Sequence, residues 1–143
     1  HSVALSAAAK TLEILDETDA LATIANYGTA MQAGMSKILN GREIPHSFTG
    51  HPAMGGLFFN DMAPRNYRDW LHSDYSFYEA LAPELHELGI LCEPDSREPW
   101  FICEAHARDD SLAKTLAAFE RAIDLTMEKL EYDKPNDRAA SSA

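Results

Sequence analysis

The sequence predicts an α+β domain, a short antiparallel sheet covered on one face by helices and preceded by a long helix. Three observations carry that prediction. Apolar residues recur at helical spacing in separate stretches, short β-prone pieces punctuated by Gly and Pro fall between them, and every strand-like run is brief. Brief strands suit antiparallel pairing with helices on one side.

The run from Ser2 to Asp16 is rich in Ala and Leu and free of Gly and Pro, which is strong helix composition, with Ser2 placed to act as N-cap. Leu21, Ile24, Ala25, Met31, Met35, Ile38 and Leu39 then follow at spacings that put them on one helical face, and Asn40-Gly41 ends the run. Between Ile44 and Asn60, Gly50, Pro52, Gly55 and Gly56 punctuate β-prone residues, so two short strands joined by a turn are expected. A polar connection over 61–66 leads to a helix marked by Tyr78, Leu81, Leu85 and Leu88, up to Gly89. Ile90-Leu91-Cys92 and Trp100-Phe101-Ile102-Cys103 look like a second strand pair separated by EPDSREP. Leu112, Leu116, Phe119, Ile123, Met127 and Leu130 repeat at four, three, four, four and three, the clearest helical stripe in the chain. From Lys134 onward the residues are small and polar, and a loosely ordered tail is expected there.

With 143 residues the chain is long enough for one domain with a real core, and 45% hydrophobic against 24% charged residues is globular composition. Twelve basic against 23 acidic residues give a formal charge of -11, which opposes nonspecific attraction to nucleic acid or anionic membrane. No apolar run approaches the roughly 20 residues of a membrane span, and the N-terminus lacks a signal-peptide layout. A cytoplasmic location is therefore expected. Residues 2–15 read as helix with no lead-in, as though the chain begins within something larger.

The residue types that carry chemistry are mostly scattered. The six histidines form no HxxxH or HExxH pair, Cys92 and Cys103 have neither CxxC spacing nor a nucleophile signature, and the glycines of HPAMGG match no phosphate-binding motif. The lysines at 10, 37, 114 and 129 fall on predicted helices and Lys134 in the tail, whereas a Schiff-base lysine needs a fixed, desolvated site. Neither metal ligands nor catalytic residues are expected in this chain. One charged pair, Arg97-Glu98, lies between apolar segments in PDSREPW. Its guanidinium can clamp a substrate carboxylate bidentately, with Glu98 orienting it or facing a substrate amine. The plain alternative is a solvated surface ion pair of little energetic weight.

Three segments carry a resemblance. HSVALSAAAKTLEIL resembles the stretch that, in class III pyridoxal-phosphate aminotransferases, follows the cofactor lysine and leads into the small domain. GGLFFND is similar to the central strand of that domain, and GILCEPDSREPWFICEAHARDD to its final strand pair and the turn into the last helix. The likeness covers about nine tenths of the chain and is nearest the glutamate-1-semialdehyde aminomutase-like branch. It implies the small C-terminal domain of a fold type I enzyme, with residues 1–40 as linking helices from a large domain, 41–133 as the small domain and 134–143 as tail. It also implies that pyridoxal 5'-phosphate is bound mainly by an N-terminal portion, which supplies the lysine, while this chain forms a substrate-facing wall and is inactive alone.

The resemblance implies further that the complete enzyme is a homodimer acting on an amine or amino acid and a keto compound. Glu98 matches a glutamate near the active site in the aminomutase-like motif. Leu91 stands where many relatives that use dicarboxylate acceptors carry arginine, which makes Arg97 the local candidate for holding a carboxylate. His106, in the family pattern AH, is assigned to structure. A stand-alone, non-catalytic interaction module with the same fold, binding through its apolar helix faces, is the alternative.

Overall fold

A computed structural model describes residues 1–131, so the tail expected from Lys134 lies outside the described residues. The Ala-rich N-terminal run forms helix α1, Ser2–Glu17, which starts one residue earlier than expected, with His1 in the cap position and no capping side chain. None of its residues is buried, and Val3, Leu5 and Leu12 are each about 70% exposed. Helix α2, Ala20–Asn40, is amphipathic as its spacing predicts. Tyr27, Met31, Met35 and Leu39, one turn apart, form its buried stripe.

The region rich in Gly and Pro forms strands β1, Ser47–Thr49, and β2, Met54–Phe58, paired antiparallel with Phe48 opposite Leu57. Gly28 of α2 lies so close to this hairpin that a Cβ there would sit 2.2 Å from the Pro52 carbonyl oxygen. The missing side chain is what lets the helix backbone approach the turn. A single-turn helix α3, Tyr67–Trp70, follows, with Asn66 accepting hydrogen bonds from the Arg68 and Asp69 amides as its cap. Helix α4, Tyr75–Glu87, is capped by Asp74 and buries Phe77, Tyr78, Leu81, Ala82 and Leu85. Strand β3, Trp100–Phe101, pairs antiparallel with Met54–Gly55, giving the order β1-β2-β3. A 3₁₀ turn, Glu104–Arg108, leads into helix α5, Ser111–Lys129, which buries Phe119, Ala122 and Ile123. Helix α5 packs on both α4 and α2, and Leu57 and Phe59 join the same core from the sheet.

One expected strand is absent. Ile90–Cys92 forms no strand and pairs with nothing in the sheet, because its end groups and the following carbonyl are taken up by the neighbouring helix. The Ile90 amide donates to the Leu85 carbonyl (2.9 Å), His86 Nε2 lies 2.6 Å from the Cys92 carbonyl oxygen, and the Tyr78 hydroxyl donates to the Glu93 carbonyl (3.0 Å). The second strand of that expected pair shrinks to Trp100–Phe101 and takes β2 as its partner.

Arg42, just past α2, ties that helix to α5. Its Nε donates to Asp124 Oδ1 (2.6 Å) and its Nη2 to Asp124 Oδ2 (3.0 Å) and Glu120 Oε1 (3.1 Å). The hydrogen bond from Arg42 lowers the Asp124 pKa, so the stabilisation is present above the unfolded carboxyl value of ~3.9 and is lost as pH falls through the folded one. Because the Asp124 side chain is 40% exposed, the pair contributes about 1 kcal/mol or less. Asp124→Asn is expected to lose that amount in denaturant titrations at neutral pH and to match the parent once both carboxyls are protonated. A difference that persists unchanged into strong acid would show that the loss is not electrostatic.

Candidate functional site

The Arg97-Glu98 pair sits on a β-turn whose geometry follows from PDSREP. The Glu98 amide donates to the Asp95 carbonyl (3.0 Å), and the Asp95 side chain accepts from the Arg97 amide (2.9 Å), a local arrangement that Asp favours at the start of turns. The same carboxylate takes the guanidinium side-on, with Arg97 Nε 2.9 Å from Oδ1 and Nη2 hydrogen-bonded to Oδ2. The hydrogen-bonding partner of Arg97 is thus Asp95, where sequence reasoning had looked to Glu98 to orient the guanidinium or face a substrate amine. Asp95 stands two residues back, where the side-on fork of the arginine folds directly onto it. The hydrogen bond from Arg97 holds the Asp95 carboxyl at about 2, so the pair stays ionised across the physiological range.

Arg97 also lies over the face of Trp70, 5.3 Å from the ring centroid, within reach of a cation–π contact. Trp70 is itself fixed. Its Nε1 donates to Ser96 Oγ (2.9 Å), Ser96 is buried, and the ring packs against Tyr75 and Tyr67 at centroid distances of 5.0 and 5.2 Å. Phe58 completes the group from the sheet. Side chains alternate along a strand, so Leu57 and Phe59 face the helical core while Phe58 faces the opposite side. Gly56 makes room for it, since a Cβ there would meet the Phe58 ring at 2.8 Å. The result is a hollow of about 300 Å³ lined by Phe58, Pro64, Asn66, Tyr67, Trp70 and Arg97. Glu98 is exposed and does not line it.

A second cleft of about 400 Å³ runs between α2 and the segments on either side of the turn, with Tyr27, Met31, Cys92, Trp100 and His106 among its walls. Leu91 stands at its edge, 94% exposed. Burial pushes the Cys92 thiol up to about 11, which makes it a poor nucleophile. Tyr78 is raised by burial and satisfied on both sides, accepting from Trp100 Nε1 (2.9 Å) and donating to Glu93. His106 takes the structural role expected of it, its Nδ1 accepting from the Cys103 amide (2.9 Å) while its carbonyl accepts from Ser111 Oγ at the start of α5. Among the described residues no three His, Cys, Asp or Glu side chains converge as metal ligands, and no helix is long and apolar enough to cross a membrane.

Sequence reasoning singled out Arg97 but not Trp70, Tyr67, Phe58 or Asp95, which the structure gathers beside it. Two signals pointed to Trp70 and Asp95. Asn66 with Asp69 three residues later is a helix-start pattern that places Trp70 at the end of a single turn, and an Asp two residues before an Arg in a turn forms the local pair. Neither signal reveals that the two meet.

No protein-family model matches the chain. It is 27% identical over 124 residues, 86% of its length, to the glutamate-1-semialdehyde 2,1-aminomutase of Thermus thermophilus, and spans 29% of that protein. Against the enzyme of the same name from Methanothrix thermoacetophila it is 32% identical over 118 residues, 82% of its length and 27% of the relative's. The chain therefore spans little more than a quarter of these relatives. Among solved structures, the FumI protein of Sphingopyxis sp. MTA144, in its PLP internal aldimine form, superposes with a TM-score of 0.71 and 26% identity over 90% of this chain and 28% of that one. An omega-transaminase from Sphaerobacter thermophilus shares the fold, with a TM-score of 0.63 and 18% identity over 72% of this chain and 23% of its own.

Proposed function

The chain is a relative of the glutamate-1-semialdehyde aminomutases with the fold of part of a PLP-dependent transaminase, and from that premise we propose that it is the C-terminal part of an enzyme that transfers amino groups between an amine or amino acid and a carbonyl compound. The observation that carries this reading is the superposition of nine tenths of the chain on barely more than a quarter of a PLP enzyme. On this reading residues 1–40 link to a large domain, 41–133 form the small domain, and the complete cytoplasmic enzyme is a homodimer.

The residues described do not fit the role of holding the cofactor. Lys10, Lys37, Lys114 and Lys129 all lie exposed on helix surfaces, where no fixed, desolvated amine is available. Pyridoxal phosphate, which when bound supplies the electron sink for amino transfer, is therefore assigned to the N-terminal portion. This chain's part is the wall. Arg97 binds a substrate carboxylate, and Glu98, whose carboxylate is not the one hydrogen-bonded to the guanidinium, is left to face a substrate amine.

Substituting Arg97 by Ala in the complemented enzyme is expected to raise KM for carboxylate-bearing substrates about tenfold, the order of one exposed charge-assisted hydrogen bond, and to leave simple amines nearly unchanged. Steady-state kinetics with matched acid and amine substrates measures this. An equal loss for both kinds of substrate would reduce Arg97 to a structural residue.

A further inference from the structure

Resting on that reading of the wall, we propose that the hollow beside Arg97 binds a carboxylate carried on an apolar skeleton, with Asp95 and Trp70 as positioning residues for the guanidinium. A guanidinium offers two forks, the side-on pair Nε and Nη2 and the end-on pair Nη1 and Nη2. Asp95 occupies the side-on fork, while Nη1 has no protein partner among the described residues. The end-on fork is the one left for a ligand.

The plane of that fork is set before any ligand arrives. Asp95 is itself held by the Arg97 amide, and the Trp70 ring beneath the guanidinium is locked by the buried Ser96. The rest of the lining selects the body of the ligand. Phe58, Pro64, Tyr67 and Trp70 are apolar or aromatic, and the Asn66 side-chain oxygen is already committed to the α3 amides. No carboxylate lines the hollow, so an ammonium group finds no counter-ion there. A volume of about 300 Å³ admits one small skeleton.

Asp95 acts on a ligand in two opposing ways. It repels a second carboxylate across the guanidinium, and it spares the arginine the loss of several side-chain rotations on binding. Both groups are solvent-exposed, so the repulsion is screened while the entropic gain is not, and positioning dominates. Removing Asp95 therefore weakens binding.

The test reads the indole N–H resonance of Trp70 in the ¹⁵N-labelled full chain, identified by its absence in Trp70→Phe. Titration with 4-phenylbutyrate is expected to shift it saturably, with a dissociation constant of about millimolar. Acetate should bind at least about tenfold more weakly for want of an apolar body, and 2-phenylethylamine should leave the resonance in place. Arg97→Met should abolish the response and Asp95→Asn weaken it severalfold. The proposal is overturned by an absent shift, by equal shifts from acid and amine, by binding that survives Arg97→Met, or by tighter binding in Asp95→Asn. Amino transfer by the complemented enzyme, measured alongside, separates the two ideas. Transfer without phenylbutyrate binding sinks the hollow alone, whereas binding without transfer sinks the enzyme reading and leaves the hollow standing.

Discussion

Supplied with pyridoxal phosphate, an amino donor and a keto acceptor, the 143-residue chain alone is expected to give no transfer above that of the free cofactor. Joined by the N-terminal portion, it is expected to exceed that background at least about a thousandfold, since positioned acid–base catalysis by itself contributes ~10²–10⁴-fold. The reason lies in the lysines. Lys10 pairs with Glu13 and Lys129 with Glu84 on open helix surfaces, and Lys37 and Lys114 are equally solvated. None is held as a cofactor amine must be. Visible absorbance of bound cofactor, read with a coupled transfer assay, decides the matter. Turnover by the chain without any companion would end the account.

The second large effect concerns two kinds of apolar residue that look alike in the sequence. Phe119 is fully buried in α5, edge-on to Trp100 with ring centroids 6.4 Å apart, so Phe119→Ala should cost ~3–5 kcal/mol by leaving a cavity in the core. That is a large share of the stability of any domain of this size, and urea titration should show the midpoint fall steeply. Leu12 is 68% exposed on α1, and Leu12→Ser should change the stability of the chain alone by no more than about 0.5 kcal/mol. Its effect should appear on association with the N-terminal portion, as weaker complex formation in analytical ultracentrifugation. If Leu12→Ser destabilises the chain alone as much as Phe119→Ala, then α1 packs on this chain's own core and the linking role proposed for it is wrong.

How much was legible varies with the range of the forces involved. Stripes such as Leu116, Phe119 and Ile123 mark a helix because spacing along the chain fixes which residues share a face. Short strands carry no such internal rule. Ile90–Cys92 and Trp100–Cys103 have the same apolar look, yet the first ties its Ile90 amide and Cys92 carbonyl to α4 and the second finds β2. Partner choice for two or three residues is decided elsewhere in the molecule. The site divides in the same way. Arg97 stands out from its neighbours in PDSREPW, and its pairing with Asp95 is local.

By itself, then, the amino-acid sequence determined the α+β class, the helices α2, α4 and α5, the turn that bears Arg97, and the kinship with aminotransferases, all of which rest on residue identity and near-neighbour spacing. Only the tertiary structure decided that 90–92 leaves the sheet and that Phe58, Tyr67 and Trp70 close a hollow around Arg97. Those outcomes depend on residues far apart in the sequence, as when β3 takes β2 for its partner or Phe58 lines one hollow with Arg97, and packing of the whole core is what brings such residues together.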